Sequence, residues 1–218
     1  MTGPMPPTHA GRHFPIEPLT AREVSDLIAS IPGRSTQGIR LRAVVALLYG
    51  AGLRVSECLR LQPQDVDTRA GVIRVHQGKG GEDGTVGIDV YSCVIVDRWV
   101  DVRTGLGPPR GSPLIMSVMP RSVGQPLRPR DVRAALSRAG RRAGIRKRVH
   151  PHGLRHSLAF DMAQRGIPTH VIQAQLRHST LAVTDRYVRH IMPADLIATM
   201  RGRDWSDAST PLRYTTGR

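Results

Sequence analysis

Apolar residues recur every three to four positions along most of this chain, and at one place only the spacing changes to strict alternation. VIRVHQ (72–77) alternates as a half-buried strand does, GKGGEDG follows with turn residues, and TVGID (85–89) can return as its partner. On both sides the helical period holds. Thr20 and Glu23 have the spacing of a capping box, with Val24, Leu27, Ile28 and Ile31 forming one apolar face behind it, so the spacing predicts a helix over 20–31. Leu41, Val44, Val45 and Leu48 mark a second helix that ends at Gly50 and Gly52, both expected at positive φ. A short amphipathic turn or helix follows at 55–61, and helical periodicity returns at 91–105, 129–143, 150–165, 168–176, within TLAVTDRYV, and at 195–200. The fold class is therefore mainly α (α+β), a helical bundle carrying one small antiparallel β-hairpin. Internal repeats and a Gly-rich nucleotide loop are not found.

The Pro-rich stretch 1–19 has neither period and reads as an extended arm, and 202–218 reads as a flexible polar tail. No apolar run approaches the roughly 18 residues of a membrane span, and the first residues do not resemble a signal peptide, so a cytoplasmic, nucleoid-associated protein is expected. Cys58 and Cys93 lie inside apolar periodic segments without a CxxC partner, as small core residues in a reducing compartment do.

A formal charge of +15 implies a polyanionic partner, since neutralised phosphates release condensed counterions. Nucleic acid leads; a ribosome-like scaffold or a membrane-surface binder has the same charge signature. Of the 32 basic residues only Lys79 and Lys147 are lysine. Lysine can surrender a proton at accessible pH whereas arginine in effect cannot. Lys79, set between glycines at the hairpin turn, is thus either a polar loop tip or a general acid.

His152 and Arg155 are three apart on a predicted helix and face the same way, with His156 beside them. Alone, the pair also fits a solvated helical face. His150, His152 and His156 invite a metal reading, but no cysteine or carboxylate pair completes the set that zinc needs, and no metal or other cofactor is expected. Arg54 has Glu57 three residues on, in an apolar neighbourhood where a guanidinium needs a fixed partner; a simple surface ion pair is the alternative. Tyr187, in HSTLAVTDRYVRH (178–190), taken by itself suits core packing or chemistry.

Four stretches in order, YGAGLRVSECLRLQPQDVD, VHQGKGGEDGTVGID, HPHGLRHSLAFDMAQRG and LRHSTLAVTDRYVRH, resemble the catalytic domain of the tyrosine recombinase/phage integrase family over about residues 20–192. The resemblance implies a catalytic domain over 20–201, without the family's N-terminal core-binding domain. It implies a DNA recombinase or integrase working through a 3′-phosphotyrosyl intermediate. Tyr187 would be the nucleophile; Arg54, Arg155 and His178 would hold the non-bridging phosphate oxygens; His152 would take the tyrosine proton; and Lys79 would protonate the leaving 5′-oxygen. Glu57 would support Arg54. Arg177 stands where the family often has glycine and is expected to add a phosphate contact, and Arg130 and Arg133 on the basic helix are expected DNA contacts. Glu82 and Asp83 occupy hairpin positions where basic residues are common. The implied partners are double-stranded DNA, further copies of the chain in a tetramer, and a full-length recombinase. A non-catalytic DNA-binding relative and a type IB topoisomerase-like enzyme are the alternatives.

Overall fold

The computed structural model describes residues 17–76 and 83–177. Helix α1 (Ala21–Ser30) begins with the expected capping box: the Glu23 N–H donates to Thr20 Oγ1 at 3.1 Å and the Thr20 N–H to Glu23 Oε2 at 2.8 Å. Lys147 Nζ donates to that same Glu23 oxygen at 2.8 Å and to the Pro18 carbonyl at 3.0 Å. One of the chain's two lysines is thus a clamp that holds the segment before Pro151 against the start of α1.

Helix α2 (Thr36–Tyr49) is apolar nearly all round, and a helix of that kind has to be central. Ile39, Ala43, Val44, Val45, Ala46, Leu47 and Leu48 are all buried, and α2 packs mainly on α4 (Val90–Gly105) and α6 (Pro151–Gln164). Gly50 differs from the sequence expectation. Its φ is −68°, ordinary helical backbone, and its lack of a side chain instead makes room for α4, since a Cβ there would lie 2.0 Å from Ser92 Oγ. The positive φ belongs to Gly52, at +69°.

After the short helix α3 (Val55–Arg60) and a 3₁₀ turn at Pro63–Asp65, the chain forms a three-stranded antiparallel sheet in the order β1 (Val66–Asp67), β2 (Val72–Val75), β3 (Gly84–Gly87). Both hairpin strands are shorter than 72–77 and 85–89, and the two-residue β1 is too brief to show any period. Ile73 pairs with Val86 and, with Val75, faces the core. Trp99 of α4 is fully buried and its indole N–H donates to the Leu114 carbonyl at 2.9 Å, which ties the apolar run Leu114–Ile115–Met116 into the same core. Helices α5 (Pro129–Arg142), α6 and α7 (Thr169–Leu176) complete the described chain. Ala159, Ile172 and Leu176 form a second, small apolar cluster where α7 lies on α6. Among the described residues no helix is long and apolar enough to cross a membrane.

Candidate active site

The exit from α2 sets the site. Gly52 turns the chain in left-handed backbone that side chains avoid, and a Cβ there would also lie 2.7 Å from Leu176 and 2.8 Å from Leu158. The turn delivers Arg54 to the N-cap of α3, one turn before Glu57. Glu57 is buried to 2% exposure and works with both oxygens. Its Oε2 accepts the Arg54 backbone N–H at 2.8 Å, and its Oε1 accepts Arg54 Nη1 at 2.7 Å and Arg177 Nη2 as well. Burial alone would raise this carboxyl's pKa, but the hydrogen bonds from Arg54 and the charges of Arg177 and Arg54 outweigh it and hold the pKa below the ordinary value. The pair is therefore an anchored one rather than a surface ornament.

Arg155 reaches the same place from α6. It is 4% exposed, and its Nη1 and Nη2 donate to the carbonyls of Gly52 and Leu176. Burial, then the neighbouring Arg54, pulls its pKa down to about 10, which still leaves it charged at neutral pH. Arg54 Nη2 donates to the Arg177 carbonyl at 3.3 Å. Three guanidinium groups thus gather round a single carboxylate. The cluster keeps an excess of positive charge, with N–H donors already fixed in direction, and a phosphodiester is the kind of anion it suits.

His152 and Arg155 lie close together, with the expected spacing, but differ in burial: His152 is exposed while Arg155 is buried. His152 and His156 are hydrogen-bonded Nε2 to Nε2, with ring centroids 3.9 Å apart and planes at 78°. Partial desolvation, then Arg155 and Arg54, lower the His152 pKa, so the ring is neutral at pH 7 and able to accept a proton. His150 is the N-cap of α6, where its Nδ1 accepts the Gly153 N–H at 3.2 Å. Burial first, then the charges of Arg148, His152 and Arg133, lower the His150 pKa; Arg133 is exposed on α5, and so is Arg130, which lies beside Asp131 at 3.8 Å. No three His, Cys, Asp or Glu side chains converge as a metal site among the described residues.

The phage integrase family matches residues 17–193. This chain belongs to the phage integrase family. Tyrosine recombinase XerA of Pyrococcus furiosus is 39% identical over 171 residues, covering 78% of this chain and 56% of that protein. Tyrosine recombinase XerD of Corynebacterium glutamicum is 34% identical over 200 residues, 90% of this chain and 64% of that one. The integrase-family chain therefore spans a little over half the length of these relatives. The crystal structure of XerA recombinase superposes with a TM-score of 0.73 at 27% identity, over 89% of this chain and 68% of the other. The Tn1549 transposon integrase, solved in complex with circular intermediate DNA, gives 0.70 at 22% identity over 86% and 65%, a likeness of fold. The fold is the tyrosine recombinase catalytic domain, mainly helical with its small sheet.

Of the positions that the resemblance singled out, the structure brings together Arg54, Glu57, His152, Arg155 and Arg177. Lys79, His178 and Tyr187 lie outside the described residues, as do the expected helices within TLAVTDRYV and at 195–200. Two features of this structure had no sequence signal. Gln175 of α7 donates to the carbonyls of Ala51 at 3.0 Å and Gly87 at 2.7 Å and accepts the Gly87 N–H at 3.0 Å, so one amide joins the sheet edge to the α2 exit. Asp83, unexpected for its acidity, closes the base of the hairpin: His76 bonds to Asp83 and to Asp65, each at 3.1 Å.

The Asp83 bond first, and then the Asp65 bond and charge, raise the His76 pKa. A histidine raised in the folded state stabilises below its unfolded pKa near 6.5, and that contribution is lost as pH rises through the folded value. An NMR titration of the His76 ring is expected to show a midpoint above 6.5, falling back toward it in Asp83→Asn. An unchanged midpoint in the variant would remove Asp83 from the clamp.

Proposed function

We propose that the chain is the catalytic part of a site-specific DNA recombinase that cuts and rejoins double-stranded DNA through a 3′-phosphotyrosyl intermediate. The observation that carries the reading is the guanidinium cluster of Arg54, fixed by the buried Glu57 carboxylate, and Arg155, fixed by the carbonyls of Gly52 and Leu176, beside His152. In the proposed reaction the Tyr187 Oη attacks phosphorus and passes its proton to His152. The bond from phosphorus to the 5′-oxygen breaks, and that oxygen takes a proton from Lys79. Arg54, Arg155 and His178 hold the non-bridging oxygens, whose charge grows in the pentacoordinate transition state, so donors fixed beforehand favour that state over the ground state. The bond energy is kept in the phosphotyrosine, and rejoining is the same exchange run backwards.

The relatives' names and the +15 charge support this reading. The active domain is residues 20–201, flanked by the arm 1–19 and the tail 202–218, with Arg130 and Arg133 as backbone contacts. Strand exchange requires several copies on DNA, a tetramer in the full reaction, in which a full-length recombinase can take a place.

The test is incubation with a nicked suicide duplex containing an inverted repeat from DNA beside the coding sequence. An SDS-resistant protein–DNA adduct is expected. Binding without an adduct on such a duplex would make the chain a DNA-binding relative instead. Relaxation of supercoiled DNA by single copies, with no partner exchange, would make it topoisomerase-like.

A further inference from the structure

Arg177 is the single non-glycine residue with positive φ among the described residues, at φ 48° and ψ 53°. Left-handed backbone is strained for an ordinary side chain, and glycine avoids the strain. An arginine held there has to make contacts that glycine cannot. Its guanidinium lies on Glu57, and its side chain is 15% exposed. Its carbonyl takes the second guanidinium nitrogen of Arg54. Arg177 therefore holds Arg54 twice, once through the shared carboxylate and once through its own backbone.

A second observation comes from the sheet. Gly84, the first residue of β3, lies outside the left-handed region, so its backbone does not call for glycine. A Cβ at that position would, however, stand 2.9 Å from Arg177 Cδ. The missing side chain leaves the corridor through which Arg177 reaches Glu57. Glu57 Oε1 then serves two guanidinium groups with one negative charge, so Arg54 is fixed in direction without being fully neutralised.

We infer that Arg177 is a positioning residue for phosphate activation, acting through Glu57 on Arg54 rather than by touching DNA. This rests on the recombinase reading and deepens it. It also replaces the expectation that Arg177 adds a phosphate contact, because its guanidinium is engaged inside the protein.

The experiment compares wild type, Arg177→Gly, Arg177→Lys, Glu57→Gln and the double variant Arg177→Gly/Glu57→Gln on the suicide duplex at saturating DNA. Arg177→Gly is expected to melt no lower than wild type, because its backbone strain is relieved, while adduct formation slows about tenfold to a hundredfold. Its DNA affinity should stay within about threefold and its salt dependence unchanged, since no phosphate contact is lost. Arg177→Lys should recover part of the rate. In the Glu57→Gln background the glycine substitution should cost less than about threefold, as expected of two residues acting through one contact.

A wild-type rate in Arg177→Gly overturns the inference. So does weaker binding with the salt slope reduced by about one, the mark of a phosphate ligand. So does a melting temperature that falls along with the rate, or a rate loss undiminished without the Glu57 charge. Absence of an adduct from wild type itself would instead sink the recombinase reading, and this inference with it.

Discussion

Replacing Tyr187 by phenylalanine is expected to abolish the covalent adduct on the suicide duplex while leaving noncovalent DNA binding within about twofold. The substitution removes one oxygen, the one that would bond to phosphorus, and keeps the ring. A phenol with an ordinary pKa near 10 needs a base and nearby cations to be nucleophilic at neutral pH, and in the proposed reaction Arg54, Arg155 and His152 would supply both. Complete loss is the expected size of effect, because another side chain cannot take the place of the reacting atom. Electrophoresis in SDS reads the adduct and a gel shift reads the binding. An adduct persisting in Tyr187→Phe would remove this tyrosine from the chemistry, and binding lost together with the adduct would show that the hydroxyl contributes to DNA binding.

The second large effect is expected at Glu57. Truncation to alanine strands Arg54 and Arg177 beside each other without the buried carboxylate that both of them use. Breaking a buried pair by removing one partner costs about 3–5 kcal/mol. The lower end applies here because Arg54 is 29% exposed and water screens part of the repulsion. For a chain of this size about 3 kcal/mol corresponds to a fall of roughly 6–12 °C in melting temperature. Well below the melt, adduct formation should fall by about a hundredfold or more, since Arg54 loses the partner that aims it. Calorimetry and single-turnover cleavage check the two halves separately. Wild-type stability would mean that the carboxylate's contacts contribute nothing net, and wild-type cleavage would detach Glu57 from the site.

Much of this was legible in the sequence because it was written in local spacing. The Thr20–Glu23 cap, the apolar face of α1, the Arg54–Glu57 pair and the start of α6 at Pro151 all depend on residues within one helical turn of each other. What the sequence concealed depends on distant partners. Gln175 looks like any polar residue on a short helix until β3 and the end of α2 lie beside it. Arg177 reads as one more cation in a basic chain until its backbone and Glu57 are seen together, 120 positions apart in sequence. Lys147 gave the opposite lesson: the same rarity argument that singled out Lys79 applies to it, yet its ammonium is bound to Glu23 and Pro18. Rarity of a residue type marks a constrained position without saying whether the constraint is chemical or architectural.

The short helix α7 has a further consequence. Its last carbonyls are turned toward the arginines, with Leu176 accepting from Arg155 and Arg177 from Arg54. The C-terminal end of a helix carries a partial negative charge, about half an elementary charge when its peptide dipoles align. The arginines therefore sit against a weak built-in anion as well as Glu57, and α7 holds its place by that attraction and by the small apolar cluster of Ala159, Ile172 and Leu176. Packing under α7 and the field at the arginine cluster are consequently one variable: whatever loosens this eight-residue helix also changes the potential at Arg54 and Arg155, without any charged residue being altered.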